Sequence, residues 1–218
     1  MKYSLPPSCD YLLVVVGVAA HLVMLHHCYY LRAFLFLVLL IALLLFHAAF
    51  TYSLFLKIIG GLNPLTFYRK MKDVALFAFS TSSSAATIPV TLRTVNQDLG
   101  VNQNVASFVV PVGATINMDG TAIMQGLATV FIAQMSGIDL TLFQCIQVVL
   151  LAVATSIGTA AVPSAGTITL IIILQQFNLP LEAIGIILAV DRVLDMIRTS
   201  VNVTGDAAVC LLIAKKVS

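Results

Sequence analysis

Apolar residues run along this chain in stretches long enough to cross a bilayer, and polar residues interrupt those stretches at a few positions. Two uninterrupted runs, about Tyr11 to Leu31 and about Phe34 to Ile59, are separated by Arg32 and predict two spanning helices. Gly60-Gly61-Leu62-Asn63-Pro64 then reads as a turn. The next apolar run, about Val74 to Val90, is broken by Ser80-Thr81-Ser82-Ser83-Ser84 and carries Pro89. Five consecutive hydroxyl residues make poor helix, because their side chains compete for backbone hydrogen bonds. A run from about Val105 to Met135 holds Asn117-Met118-Asp119-Gly120-Thr121 at its middle. After Gly137 and Asp139 another is interrupted from Ser156 to Gly166, resumes to Phe177 and turns at Asn178-Leu179-Pro180.

The final stretch, about Leu181 to Ala214, has its own pattern. Asp191, Asp195, Arg198, Asn202 and Asp206 are spaced by four, three, four and four residues. At about 100° per residue they fall within an arc of roughly 80°, so one helix presents three carboxylates, a guanidinium and an amide along one stripe. A charge at mid-bilayer costs about 3 kcal/mol on insertion scales and a leucine returns only about 0.5, so the stripe must face protein, water or a ligand.

Composition settles the class. The 218 residues are 60% hydrophobic and 9% charged, with a mean hydropathy of +1.05, as in an integral membrane protein. A net charge of +2 without a basic patch excludes nucleic acid as a partner. Cys9, Cys28, Cys145 and Cys210 lack metal or redox spacing and read as reduced packing residues. His21, His26, His27 and His47 read as structural or interfacial. Pro6 and Pro7 and the missing small-x-small pattern argue against a removable signal peptide.

Loop charge chooses between spanning and re-entrant versions of the two interrupted runs. If each dips in and returns to its own side, Lys57, Arg69, Lys70, Lys72, Arg93, Lys215 and Lys216 all lie on the cytoplasmic side. The loops at 136–140 and 178–182, which carry no Lys or Arg, lie opposite. The expected fold is therefore an all-α, multi-pass protein of the cell membrane. An unassigned apolar segment spans 1–33 and a transport-like core spans 34–218. The core comprises a spanning helix (34–59), a re-entrant hairpin (68–99), a broken helix (104–135), a second re-entrant hairpin (140–177) and the polar-striped helix (181–214). From Ser83 to Asp119 is 36 positions and from Ala161 to Arg198 is 37. Hairpin and polar helix thus occur twice, entering from opposite sides, which is inverted-repeat topology with a midplane site.

Non-helical backbone at membrane depth must line a cavity or be packed in protein, so both hairpin tips and the 117–121 break should converge on the last helix. Carbonyls freed near Gly113, Thr115, Asn117, Ser156, Ile157 and Thr159 suit a hard monovalent cation, sodium above all, with Asp119 and Asp206 balancing its charge. Arg198 offers a planar fork to a carboxylate and Asp195 can accept from an ammonium group. The half-helix N-termini after the tips suit a second carboxylate. An acidic amino acid meets all three.

Ser82-Ser83-Ser84, the Asn117–Thr121 motif, Ser156-Ile157-Gly158-Thr159-Ala160 and the run from Asp195 to Asp206 resemble, in order, the signatures of the dicarboxylate/amino acid:cation symporters, the glutamate and aspartate transporter family. The resemblance runs from about His47 to the C-terminus. It implies that Arg198 binds the side-chain carboxylate and Asp195 the amino group. Asn202, Thr121, the neighbouring Thr199, and the main chain around Ser83, Ser84 and Val162 would hold the rest. One sodium would use Asp206 with carbonyls of Gly113, Asn117 and Asn202. Another would use carbonyls of Thr115, Ser156, Ile157 and Thr159, and a third the side chains of Asn117 and Asp119. The second hairpin would gate the site, and a scaffold would hold a homotrimer.

The chain is short for that family and its scaffold helices find no match, so a truncated, non-transporting fragment is the alternative expectation. Proton coupling in place of sodium stays open, because buried carboxylates can carry protons. A remoter alternative is an intramembrane aspartyl protease built on Asp119 and Asp206, although Val203-Thr204-Gly205-Asp206 lacks the G-x-G-D signature.

Overall fold

The computed structural model describes residues 29–217. Every regular element among them is helical. The first helix, α1 (Tyr29–Phe46), passes through a wider π-helical turn (His47–Tyr52) into α2 (Ser53–Ile58). Among the described residues this continuous helix, from Leu31 to Ile58, is the one element long and apolar enough by itself to cross a membrane. Phe34, Leu45, Phe46, Phe50, Phe55 and Ile58 stand exposed along it, as suits a lipid-facing surface. Because α1 is already helical at Tyr29, Arg32 lies within it. An arginine at that position is a good helix former, and its long side chain reaches the Met135 sulfur at 3.5 Å. The expected run from Tyr11 lies largely outside the described residues.

Asn63 caps the next helix by accepting a hydrogen bond from Leu65 N at 2.9 Å, and Pro64 occupies its first turn. That helix, α3 (Pro64–Thr81), packs on α4 (Ser84–Gln97). The hydroxyl-rich break between them is narrower than its five residues suggest. Ser80 and Thr81 stay helical by donating to the carbonyls of Leu76 and Phe77 at 2.9 and 3.0 Å. Only Ser82 and Ser83 leave the helix, Ser82 with a left-handed φ of 52° and Ser83 as the N-cap of α4.

Further along, α5 (Gln103–Ile116) and α6 (Asp119–Met135) are separated by Asn117 and Met118. Next, α7 (Leu142–Ile157) starts with a reciprocal capping box between Thr141 and Gln144. A seven-residue non-helical tip, 158–164, leads to α8 (Ala165–Gln176), which packs on α7. The chain ends in α9 (Ile184–Val217), a 34-residue helix that packs against α1, α3, α4, α5, α6 and α8.

Two apolar cores form around α9. One joins Phe36, Leu40 and Leu44 of α1 to Phe131 and Ile132 of α6 and to Leu170, Leu174 and Leu194. The other joins Leu56 of α2 to Met71, Val74, Val109, Val203 and Ala207. Between the two cores, α9 carries its polar stripe.

Candidate functional site

All five stripe residues are 2–4% exposed, so α9 buries three carboxylates, a guanidinium and an amide inside a bundle of helices. Such groups are tolerable only if paired or ligand-facing. Arg198 Nη2 donates to Asp195 Oδ1, one turn back, and lies 4.0 Å from Asp191 Oδ1. Asp191 also accepts from the Thr167 hydroxyl, so the stripe member with no role in the sequence reading shares the arginine's charge with Asp195. The other oxygen of Asp195 accepts from the backbone N–H of Ser164 at 2.8 Å, which fastens the 158–164 tip to the stripe.

One turn further on, Asn202 Oδ1 accepts from Gly120 N at 2.8 Å and its Nδ2 donates to Thr121 Oγ1 at 3.3 Å. The α5–α6 break is thereby held against α9. Asn117 Nδ2 donates to Asp206 Oδ1 at 3.0 Å. Among the described residues, no lysine or arginine pairs with Asp206. Gly205 makes this approach feasible: a Cβ there would fall 2.5 Å from the Tyr52 hydroxyl and 2.7 Å from Asn117 Nδ2.

A small cavity of about 20 Å³, room for about one water, lies between the two tips and α9. Of the candidate substrate residues, Ser84, Thr121, Val162, Asp195, Arg198, Thr199 and Asn202 all line it. Ser83 stands beside it: its hydroxyl donates to Ala161 O at 2.9 Å, and Ala85 N donates to the same carbonyl at 3.2 Å. These two bonds join the tips directly. Arg198 Nη1 is buried with no hydrogen-bond partner.

The candidate cation residues fall in three groups. Gly113, Asn117, Asn202 and Asp206 gather where α5 ends against α9, with Gly113 so close that a Cβ there would meet Asp206 Oδ1 at 2.9 Å. Thr115, Ser156, Ile157 and Thr159 sit on the ends of α5 and α7, which touch. Two of the six carbonyls expected to be free take a backbone bond: Gly113 O accepts from Asn117 N at 2.8 Å and Ser156 O from Thr159 N at 3.1 Å, because each helix end closes its own last turn. A carbonyl keeps a second lone pair for a cation. Asp119 is the third group, and its Oδ2 lies 3.2 Å from His47 Nε2 and 3.3 Å from the Tyr52 hydroxyl. Its side chain is 41% exposed, so it is no deeply buried carboxylate.

His47, expected to be structural or interfacial, thus has a carboxylate partner in Asp119. The signal was weak, since 72 residues separate the two and only the fold brings them together. His21, His26 and His27 lie outside the described residues. Gln125 was also passed over. It is fully buried in α6; its amide donates to Gly166 O and Thr169 Oγ1 at 3.0 and 2.7 Å, and its oxygen accepts from Thr155 Oγ1 at 2.9 Å. A lone amide in an apolar run was the available clue. Cys145 and Cys210 form no disulfide. Among the described residues no three His, Cys, Asp or Glu side chains converge as a metal cluster. A cation here would rest on carbonyl, amide and single carboxylate oxygens, the donor set of a hard ion.

A helical bundle that buries charges around broken helices in so apolar a chain has the pattern of a membrane protein with a polar interior. The profile of the Sodium:dicarboxylate symporter family matches residues 13–216, and the chain belongs to that family. The match begins within the segment 1–33. The chain is 48% identical over 145 residues to an excitatory amino acid transporter of Caenorhabditis elegans, covering 66% of this chain and 29% of that protein. It is 44% identical over 164 residues to excitatory amino acid transporter 2 of Homo sapiens, covering 75% and 29%. With excitatory amino acid transporter 3 of Mus musculus it shares 45% over 161 residues, covering 74% and 31%. The matched stretch is thus less than a third of the length of these relatives.

Symporters are not enzymes, and the protease alternative has nothing to support it. Asp119 and Asp206 do not share a hydrogen bond, as a proteolytic pair must. Each has its own neutral or imidazole partners.

Proposed function

We propose that this chain forms the substrate- and cation-binding core of a multi-pass membrane symporter that couples sodium to an acidic amino acid, aspartate or glutamate. The observation that carries the reading is Arg198: a buried guanidinium with an unpartnered Nη1, beside Asp195, on a polar cavity. An arginine donor left unmade inside protein costs free energy that a ligand carboxylate recovers. Asp195 receives the ammonium group. Thr121, Thr199 and Asn202, with the backbone near Ser83, Ser84 and Val162, surround the rest. Asp206, buried against an amide alone, calls for a cation, as do Asp119 with Asn117, and the carbonyl ends at Thr115, Ser156, Ile157 and Thr159. Sodium fits these oxygens and the family name; protons are the rival coupling ion.

In this reading both helix pairs, α3–α4 and α7–α8, are re-entrant, and the bundle is the mobile part of a homotrimer whose scaffold lies in other sequence. A cavity of about 20 Å³ is too small for an amino acid. In this reading binding widens the cavity, with Arg198 turning from Asp195 and the second tip parting from the first. Titration of the chain in lipid nanodiscs with L-aspartate, with and without sodium chloride, tests the site. Sodium-dependent binding lost in Arg198→Ala supports it, and binding indifferent to sodium or to that substitution overturns it. Uptake by proteoliposomes then decides between a transporting chain and a fragment that only binds.

A further inference from the structure

The two ends of the bundle differ in charge. Lys57 lies in the last turn of α2, and Lys215 and Lys216 lie in the last turn of α9. Arg69, Lys70 and Lys72 belong to the first half of α3, and Arg93 stands near the end of α4. Two hydrogen bonds gather these elements at one end: Lys215 Nζ donates to Gly60 O, and Lys70 Nζ donates to Asp98 O. Seven of the chain's eleven lysines and arginines are therefore here, against two carboxylates, Asp73 and Asp98. At the other end, where Arg32 of α1 reaches Met135 of α6, the loops carry Asp139 and Glu182.

All seven cations are exposed, and among the described residues the side chains of Lys57, Arg69, Lys72 and Lys216 have neither a hydrogen bond nor an ion pair. Solvated cations are ordinary, so their setting decides. On α3, Arg69, Lys72, Leu76 and Phe79 are spaced by three, four and three residues and fall within an arc of roughly 80°. All four are exposed, Leu76 by 63%. Because α3 runs from this basic end to the tip at Ser82 beside the cavity, the order along its outer face is charge first and hydrocarbon deeper in. At the end of α2, Lys57 likewise stands between exposed Phe55 and Ile58. Lysine and arginine stems lie along such apolar surface while their heads reach outward. A soluble anion would use the cations and leave Leu76 and Phe79 bare. A ligand with an anionic head and an acyl tail covers both. We infer that the basic end is a binding surface for anionic phospholipid, with the phosphate at Arg69 and Lys72 and an acyl chain along Leu76 and Phe79. Lys57 and Lys216 add to the attracting field. Anionic lipids are concentrated in the cytoplasmic leaflet, the side to which the loop charges assign this end. The inference is independent of the substrate and cation sites.

The chain has no tryptophan, so Phe79→Trp places a lone fluorophore on the stripe. The test is quenching of that tryptophan, in the 218-residue chain reconstituted in phosphatidylcholine bilayers, by brominated phosphatidylglycerol or brominated phosphatidylcholine. A cation near a membrane surface is worth about a fivefold preference for anionic lipid, so two predict a local preference of about tenfold or more. It should fall toward parity in about 1 M sodium chloride, an arm that needs no further variant. Arg69→Gln with Lys72→Gln should bring it within twofold, whereas the charge-keeping pair Arg69→Lys with Lys72→Arg should retain it. The unfolding midpoint in pure phosphatidylcholine should be the same in all of these. Equal quenching by the two lipids, as a face covered by protein would give, overturns the inference. So does a preference that survives the double glutamine substitution, or one abolished by inorganic phosphate at constant ionic strength, which would mark a site for a soluble anion.

Discussion

The two tips that meet over the cavity are built differently. The first turns in two residues, and its capping is local: Ser83 caps α4 with its own hydroxyl, and Ser80 and Thr81 bond back within α3. The second runs for seven residues, and Ser164, the left-handed residue that opens α8 at φ 60°, has no side-chain cap of its own. Its N–H instead finds Asp195, which belongs to the proposed binding site. The first tip is thus fixed by its sequence, whereas the second is held by a carboxylate whose other oxygen pairs with Arg198. On the proposed function, an ammonium group at Asp195 would compete for that carboxylate, and occupancy and the position of the second tip would become one equilibrium. The proposed gate needs that dependence, and a fixed wall needs its absence.

Substitutions can separate the two. The largest effect is expected from Asp195→Ala, which strips Arg198 of its nearest partner and the second tip of its anchor. Breaking a buried pair predicts about 3–5 kcal/mol of lost stability and no measurable aspartate binding, to be read by thermal unfolding and titration. If the second tip stays as protected from hydrogen exchange as in the native chain, the asymmetry between the tips is wrong. Next comes Gly166→Ala, whose Cβ would meet Thr121 Cγ2 at 2.8 Å and Arg198 Cζ at 3.2 Å. Overpacking of this kind costs about 1–3 kcal/mol, and the weakened aspartate affinity should exceed any change in unfolding midpoint. Ser83→Ala removes an N-cap and the bond to Ala161 O and should cost about 1 kcal/mol of stability. Cysteines placed on the two tips should then cross-link less readily. The smallest effect belongs to Ser164→Gly, where relief of the positive φ roughly cancels the added unfolded-state entropy, leaving a change within about 1 kcal/mol. A larger loss would mean that the serine hydroxyl, and not the backbone N–H, holds the second tip.

Much of this was legible in the sequence for local reasons. The stripe on α9 follows from a four–three–four–four spacing, and the all-helical character from the length of the apolar runs. Interruptions of helix were readable where polar or proline-flanked residues cut those runs, as at Asn117 and between Gly158 and Ser164. The width of an interruption was not. Ser80 and Thr81 look like Ser82 and Ser83 in composition, and only the back-bonding geometry keeps them helical. Contacts distant in sequence were also hidden. The pairing of His47 with Asp119 and the bridging by Gln125 depend on how α1, α6, α7 and α8 are brought together, and no spacing rule encodes it.

The π-helical turn at His47–Tyr52 makes α1 and α2 parts of one rod that serves two cores. Phe36, Leu40 and Leu44 point into the first core and Leu56 into the second, while the Ala48 carbonyl, in the wider turn, takes the Tyr68 hydroxyl. The wider winding of that turn absorbs its extra residue: six residues of π-helix rotate the chain about as far as five of α-helix. Deleting one residue there should restore an uninterrupted α-helix with α1 and α2 still facing their two cores. What would change is the turn itself, where His47 and Tyr52 rest on Asp119. Such a deletion should therefore spare the packing of both cores and be felt at Asp119.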